Sequence, residues 1–333
     1  MHLIFALMGG FIYWYKSRMG IGDRLHHVVQ LMELAEQNDA HFVVDMRDGM
    51  FGEFGEDAFS KWFDSPHPKW IRNPDFAGLL SEYSGRLMPP RPNWFEPTPV
   101  DAWLWKKVFL WQRWVFKTLE LREWGTTGAW IRKIMRLVFQ TTSVQALDTR
   151  TVVCSLGPFV RPHRHPGCIH LYDDWIRTPK WSPERMVWPN QSVIDEIESA
   201  WQHLSFDPSR AVGIHVRQTD KTQNNWWETW LDELVAGTHS ASFPFVFLAT
   251  DSRRVVEAFE NAPMKQQLFR NPWLELPDEE TPLHTSNFDG EWVLKTALFD
   301  LWTLSQCGDF VPSKKGSSFS RVADAWRKFP RTH

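Results

Sequence analysis

The stretch AVGIHVRQTDK, Ala211 to Lys221, ends an apolar run with a histidine, an arginine, an aspartate and a lysine. If the run is a β-strand, alternation puts His215 and Arg217 on one face. There an imidazole nitrogen and a bidentate guanidinium can converge on a single anion, with phosphate the natural candidate. Spacing leaves a second arrangement open, in which Arg217 pairs with Asp220 or Asp251 and His215 fills the core. Asp300 is the next candidate, because it interrupts the apolar helical stretch Leu294 to Leu304, where a carboxylate without a partner is expensive. RPHRHPGCIH, Arg161 to His170, gathers His163, His165, Cys168 and His170, but Pro162 and Pro166 break any regular ligand spacing and make a loop the better reading than a metal site. The three cysteines, Cys154, Cys168 and Cys307, form no CxxC pair and no even set, which argues against a disulfide framework and fits a reducing compartment.

The elements that must position these groups follow from hydrophobic period. Phe11 to Lys16 reads as a buried strand, GIGDRL as a glycine turn into a helix carrying Leu25 to Gln37, and HFVVDM as a second strand, together a βαβ unit. The same grammar returns with a helix at Ser192 to Leu204, a strand at Ala211 to Val216, a helix at Trp226 to Ala236 and a strand at Phe245 to Thr250. A helix at Asp251 to Ala262, a strand at Gln267 to Arg270, a helix at Gly290 to Gln306, a strand at Asp309 to Val311 and a helix at Ser317 to Phe329 complete it. In open α/β sheets ligands gather at the carboxyl ends of strands, which is where His215 and Arg217 fall. The expected organisation is an amino-terminal α/β domain over residues 1–195 and a Rossmann-like domain over residues 196–333.

An insert of different texture occupies about residues 89–140. Its part from Val100 to Gln140 carries eight Lys or Arg against three acidic residues, with six tryptophans interleaved. Such a composition suits a helical pair with its Trp face on the domain, or an interfacial helix making peripheral membrane contact through residues 100–140. The opening MHLIFALMGGFIYWYK lacks a basic start and a small-residue cleavage site and is too short to span a bilayer, so a cytoplasmic protein is expected. With 333 residues, 43% hydrophobic and 23% charged, the composition is globular, and a formal charge of −3 gives no whole-molecule attraction to nucleic acid or acidic lipid. Any anion site must be local.

HVRQTDK after an apolar strand resembles the motif of the core alpha-1,6 and rhizobial nodulation fucosyltransferases. GIGDRLHHVVQLMELAEQNDAHFVVD, Gly20 to Asp45, is similar to the amino-terminal glycine loop of that superfamily. VFLATDS resembles its second nucleotide-domain strand, and PLHTSNFDGEWVLKTALFDLWTLSQCGDFVPSKKGSSFSRVADAW resembles its carboxyl-terminal helix, strand and serine turn. The resemblance implies a GT-B fold of two Rossmann-like domains facing a cleft, GDP-fucose as donor, a glycan or other hydroxyl acceptor, inversion at the sugar carbon, and no cofactor or required metal. It matches Arg217 to an arginine contacting the donor diphosphate and His215 to a histidine beside the nucleotide. Asp300 matches an aspartate that reads guanine, Ser317, followed by Ser318, the serine of a phosphate-binding turn, and Gly20 and Gly22 glycines that let backbone approach the donor.

Two positions depart from the pattern. Gln218 stands in place of a second arginine, and Asn225 in place of a glutamate base, leaving Glu228, Asp220, His26 and His27 as unranked substitutes. The alternatives to a fucosyltransferase are a transferase of another GDP-sugar and a non-catalytic nucleotide-sugar binder or scaffold.

Overall fold

The computed structural model describes residues 12–16, 20–37, 41–47, 49–53, 55–76, 87–88, 152–155, 179–218, 226–236, 243–276, 288–313 and 317–331. The insert at 89–140, the segment 161–170 and Asp220, Lys221 and Asn225 lie outside them. The chain divides into two compact units, one of Met1–Arg18, His27–Ser60 and Pro66–Lys180, the other of Met19–His26, Lys61–Ser65 and Trp181–His333.

The first unit holds β1 (Ile12–Lys16), most of helix α1 (Ile21–Gln37), β2 (His41–Asp45), β4 (Leu87–Met88) and β5 (Val152–Ser155). The strands form one parallel sheet in the order β2-β1-β5-β4. Helical period puts Val28, Leu31, Met32 and Ala35 of α1 in the core, and Phe42, Val43 and Val44 of β2 are buried in turn, the near-continuous apolar run of a strand covered on both faces. Between β2 and β4 lies a one-turn helix, α2 (Ala58–Trp62). Asp57 caps it by accepting the Phe59 N–H and the Ser60 hydroxyl, and burial raises the Asp57 carboxyl above its ordinary range.

The second unit is built on β7 (Ala211–Val216), β8 (Phe245–Thr250), β9 (Gln267–Arg270) and β10 (Asp309–Val311), all parallel, in the order β10-β7-β8-β9. The β7–β8 ladder sets His215 opposite Ala249 and Val216 opposite Thr250. Helices α3 (Gln191–His203), α4 (Trp226–Ala236), α5 (Arg253–Asn261), α6 (Gly290–Gln306) and α7 (Ser318–Lys328) complete it, with a two-stranded antiparallel pair of β3 (Phe63–Asp64) and β6 (Trp188–Pro189). Helix starts follow their caps: Asn190, Ser252 and Asp289 each accept a backbone N–H three residues on. All six β7 residues are buried, and Val212, Ile214, Val246, Leu248, Val255 and Phe259 share one core cluster. Gly213 gives room to the end of α6 and its C-cap, since a Cβ there would stand 2.9 Å from Cys307 Sγ and 3.0 Å from Leu304 Cδ2.

Candidate functional site

The second unit's strands run β7, β8, β9, β10 along the chain and β9, β8, β7, β10 in space, so their order reverses between β7 and β10. An open parallel sheet binds ligands outside the strand carboxyl ends at such a reversal. His215 and Arg217 lie at the carboxyl end of β7, Asp251 follows β8, Asn271 follows β9, and Ser313 follows β10.

On the β10 side, His215 is buried and its Nδ1 lies 2.6 Å from Ser320 Oγ of α7. That oxygen also accepts the Ser313 N–H at 3.1 Å. The Phe319 ring lies against the imidazole, with centroids 4.8 Å apart. Ser317 is the N-cap of α7 and is buried, yet its side chain makes no cap hydrogen bond, so its hydroxyl is not spent on its own helix. Ser318 beside it is half-buried. Gly20 precedes α1 and its carbonyl accepts the Arg24 N–H. Gly22, one residue into α1, is where the two helix starts meet: a Cβ there would stand 2.6 Å from Phe319 N and 3.0 Å from the Ser318 carbonyl carbon. Two helix N-termini therefore converge beside His215. Their partial positive ends and unsatisfied N–H groups favour an anion, and Asp23 in the first turn of α1 offsets part of that field. Sequence reasoning assigned Gly22 to backbone approach; the backbone it admits here is that of Ser318 and Phe319.

On the β8 side, Arg217 Nε meets Asp251 Oδ2 at 3.2 Å, with the arginine side chain 22% exposed and the aspartate 8%. The other carboxylate oxygen accepts the Gln218 N–H at 2.9 Å. The pairing with Asp251 left open by the sequence is thus formed. It holds the guanidinium at Nε and fixes the loop after β7 to the loop after β8. Arg217 accordingly sits with Asp251, while His215 sits with Ser320 and Phe319.

Asp300 lies on α6 with only 8% of its surface exposed, and its Oδ1 has no hydrogen-bond partner among the described residues. Burial pushes its carboxyl up to about 8, and the Asn271 amide beside it draws the value down by less. Asn271 is held by its own bonds, donating to the Thr296 carbonyl at 2.9 Å and accepting the Trp273 N–H at 2.9 Å. A carboxyl oxygen shut from water, with no partner among the described residues, is a costly arrangement. It has the polarity to accept from a ligand carrying N–H donors.

The substitutes for a base separate on geometry. Glu228 pairs with Arg254 at 3.3 Å. His26 Nε2 is buried without a partner among the described residues, and burial, then the nearby Arg321 charge, lowers that imidazole to about 4, so it is a weak base out of reach of solvent. Among the described residues no group of three His, Cys, Asp or Glu side chains could hold a metal, and no helix is long and apolar enough to cross a membrane. Asn271, Ser313, Phe319 and Ser320 were not singled out from sequence. The signal for Ser320 was a polar residue on the buried face of an amphipathic helix, and Asn271 gave none beyond following a strand.

No family model matches the chain and no curated protein aligns with it. Solved structures do, among them NodZ alpha-1,6-fucosyltransferase co-crystallized with GDP and a selenomethionine form of the fucosyltransferase NodZ from Bradyrhizobium. Each has a TM-score of 0.50 and 19% identity, over 95% of this chain and 91% of the other. The fold is fucosyltransferase-like. At that identity the likeness speaks to architecture, and it agrees with the α/β architecture that the four motifs imply.

Proposed function

We propose that the protein is an inverting glycosyltransferase of GT-B type that moves fucose from GDP-fucose to a hydroxyl of a glycan acceptor. The observation that carries this reading is the buried Asp300 carboxyl, whose Oδ1 has no partner among the described residues and which lies beside Asn271 at the end of β9, while two helix N-termini converge beside His215 at the end of β7. Guanine presents N1–H and the exocyclic amine side by side, which suit a carboxylate. A diphosphate suits the helix starts, the Ser317 hydroxyl and Arg217. That NodZ was co-crystallized with GDP supports the same donor class.

In this reading the acceptor oxygen attacks the sugar carbon in line, the bond from that carbon to the phosphate oxygen breaks, and the electron pair leaves with GDP. Arg217, oriented by Asp251, and the N–H groups at the start of α7 stabilise the departing charge; one such fixed donor is commonly worth about 3 kcal/mol. The acceptor proton passes to a general base, for which His26, buried and weakly basic, is a poor candidate and Glu228 is held by Arg254.

Asn225 favours a second reading, a nucleotide-sugar binder without turnover, because an amide cannot take that proton. Incubation with GDP-fucose separates the two. The transferase should release GDP slowly even without acceptor, and Arg217→Ala should suppress the release. Tight GDP-fucose binding with no release of GDP across a panel of glycan acceptors would overturn the enzyme reading.

A further inference from the structure

We propose that Ser320 is a positioning residue that holds His215 in a single tautomer, with Nδ1 bare and the proton on Nε2. Ser320 lies in the first turn of α7, buried, and its hydroxyl has two hydrogen-bond neighbours among the described residues. One is the Ser313 backbone N–H at 3.1 Å, which can only donate, so Oγ accepts there. The other is His215 Nδ1 at 2.6 Å. A serine hydroxyl carries one proton, and with Ser313 occupying an acceptor lobe, that proton has Nδ1 as its acceptor. The opposite tautomer would set Nδ1–H against the same oxygen and strand a buried hydroxyl proton, an arrangement native interiors avoid. Phe319, packed against the imidazole at 4.8 Å between centroids, opposes a turn of the ring away from Ser320.

The consequence is one of polarity. Nε2 meets whatever it faces as a hydrogen-bond donor, the role a phosphate oxygen requires, whereas a bare Nε2 would repel it. This consequence rests on the GDP-sugar reading; the tautomer itself does not. The chain from Ser313 through Ser320 to His215 also ties the loop after β10 to the end of β7, so the start of α7 acts on the site through a side chain as well as through its backbone.

The test uses the full chain with 15N-labelled histidine, read by two-bond 1H–15N spectra that distinguish bare from protonated ring nitrogens, with His215 assigned by its loss in His215→Gln. Nucleotide-free wild type should show Nδ1 bare and Nε2 protonated. Ser320→Ala should give a mixture of tautomers and bind GDP about tenfold more weakly, and Ser320→Thr, which keeps the hydroxyl, should restore both. A wild-type His215 protonated on Nδ1, or an unchanged tautomer in Ser320→Ala, would overturn the proposal. The wild-type spectrum decides even if Ser320→Ala does not fold. Should the tautomer be as stated while GDP moves no His215 signal, the positioning role stands and the donor assignment is what fails.

Discussion

Replacing Asp300 by asparagine should stabilise the protein above neutral pH while removing its response to GDP. An ordinary aspartate ionises near 3.8, and burial holds Asp300 up to about 8. Between those values the folded protein keeps a proton that the unfolded chain has lost, so stability falls as pH rises from about 4 to about 8 and is level above. At roughly 1.36 kcal/mol per tenfold, the full cost of the ionised group above that range is about 6 kcal/mol. If a third of it survives relaxation of the surroundings, Asp300→Asn should melt about 4 °C higher than wild type at pH 8.5. At about pH 3.5, where the aspartate is largely neutral in both folded and unfolded chains, the two should melt alike. The amide offers one acceptor and one donor where guanine presents two donors, so GDP affinity should fall by about a hundredfold, or roughly 3 kcal/mol. In wild type, GDP affinity should climb with pH through about 8 as the carboxylate forms. Melting curves at the two pH values, with and without GDP, read all of this. A variant less stable than wild type at pH 8.5, or one still stabilised by GDP, would refute the reasoning.

Gly22→Ala brings a methyl against the Phe319 backbone nitrogen, which cannot rotate aside as a side chain can, so a loss of about 1–3 kcal/mol is expected. Denaturant unfolding measures it, and a variant within a few tenths of wild type would show that the helix starts are free to separate. Arg217→Ala should weaken GDP about thirtyfold or more by calorimetry and GMP far less, since a charge-assisted bond to a phosphate is worth about 2 kcal/mol. Equal losses for the two nucleotides would place the guanidinium elsewhere than on the diphosphate.

The second unit was the more legible half. The strands at Ala211–Val216, Phe245–Thr250, Gln267–Arg270 and Asp309–Val311 and the helices at Trp226–Ala236 and Gly290–Gln306 have the bounds their hydrophobic pattern gives, because a buried parallel strand is a short apolar run closed by polar or turn residues. The antiparallel pair Phe63–Asp64 with Trp188–Pro189 was not legible, since two residues carry no period and their partners lie far apart in the chain. Pattern also cannot give sheet order: the reversal between β7 and β10 is a property of long-range pairing. At the site, the residue types at 215, 217 and 300 announced themselves as polar groups in apolar surroundings. What each would meet did not. Arg217 had two acidic partners within reach of its strand end, and the choice of Asp251 depends on β8 lying beside β7. The unsatisfied oxygen of Asp300 is a fact about packing on every side of α6, and Ser320 became visible only once α7 was laid against β7.

The ladder that sets His215 against Ala249 and Val216 against Thr250 has a reach beyond the sheet. Were β7 to slip by one residue along β8, every side chain on it would exchange faces, and the imidazole would turn its back on the α7 serines. The apolar residues of β8 are thus wardens of the site's chemistry without touching a ligand, and a change there that loosens pairing should cost activity before it costs the fold.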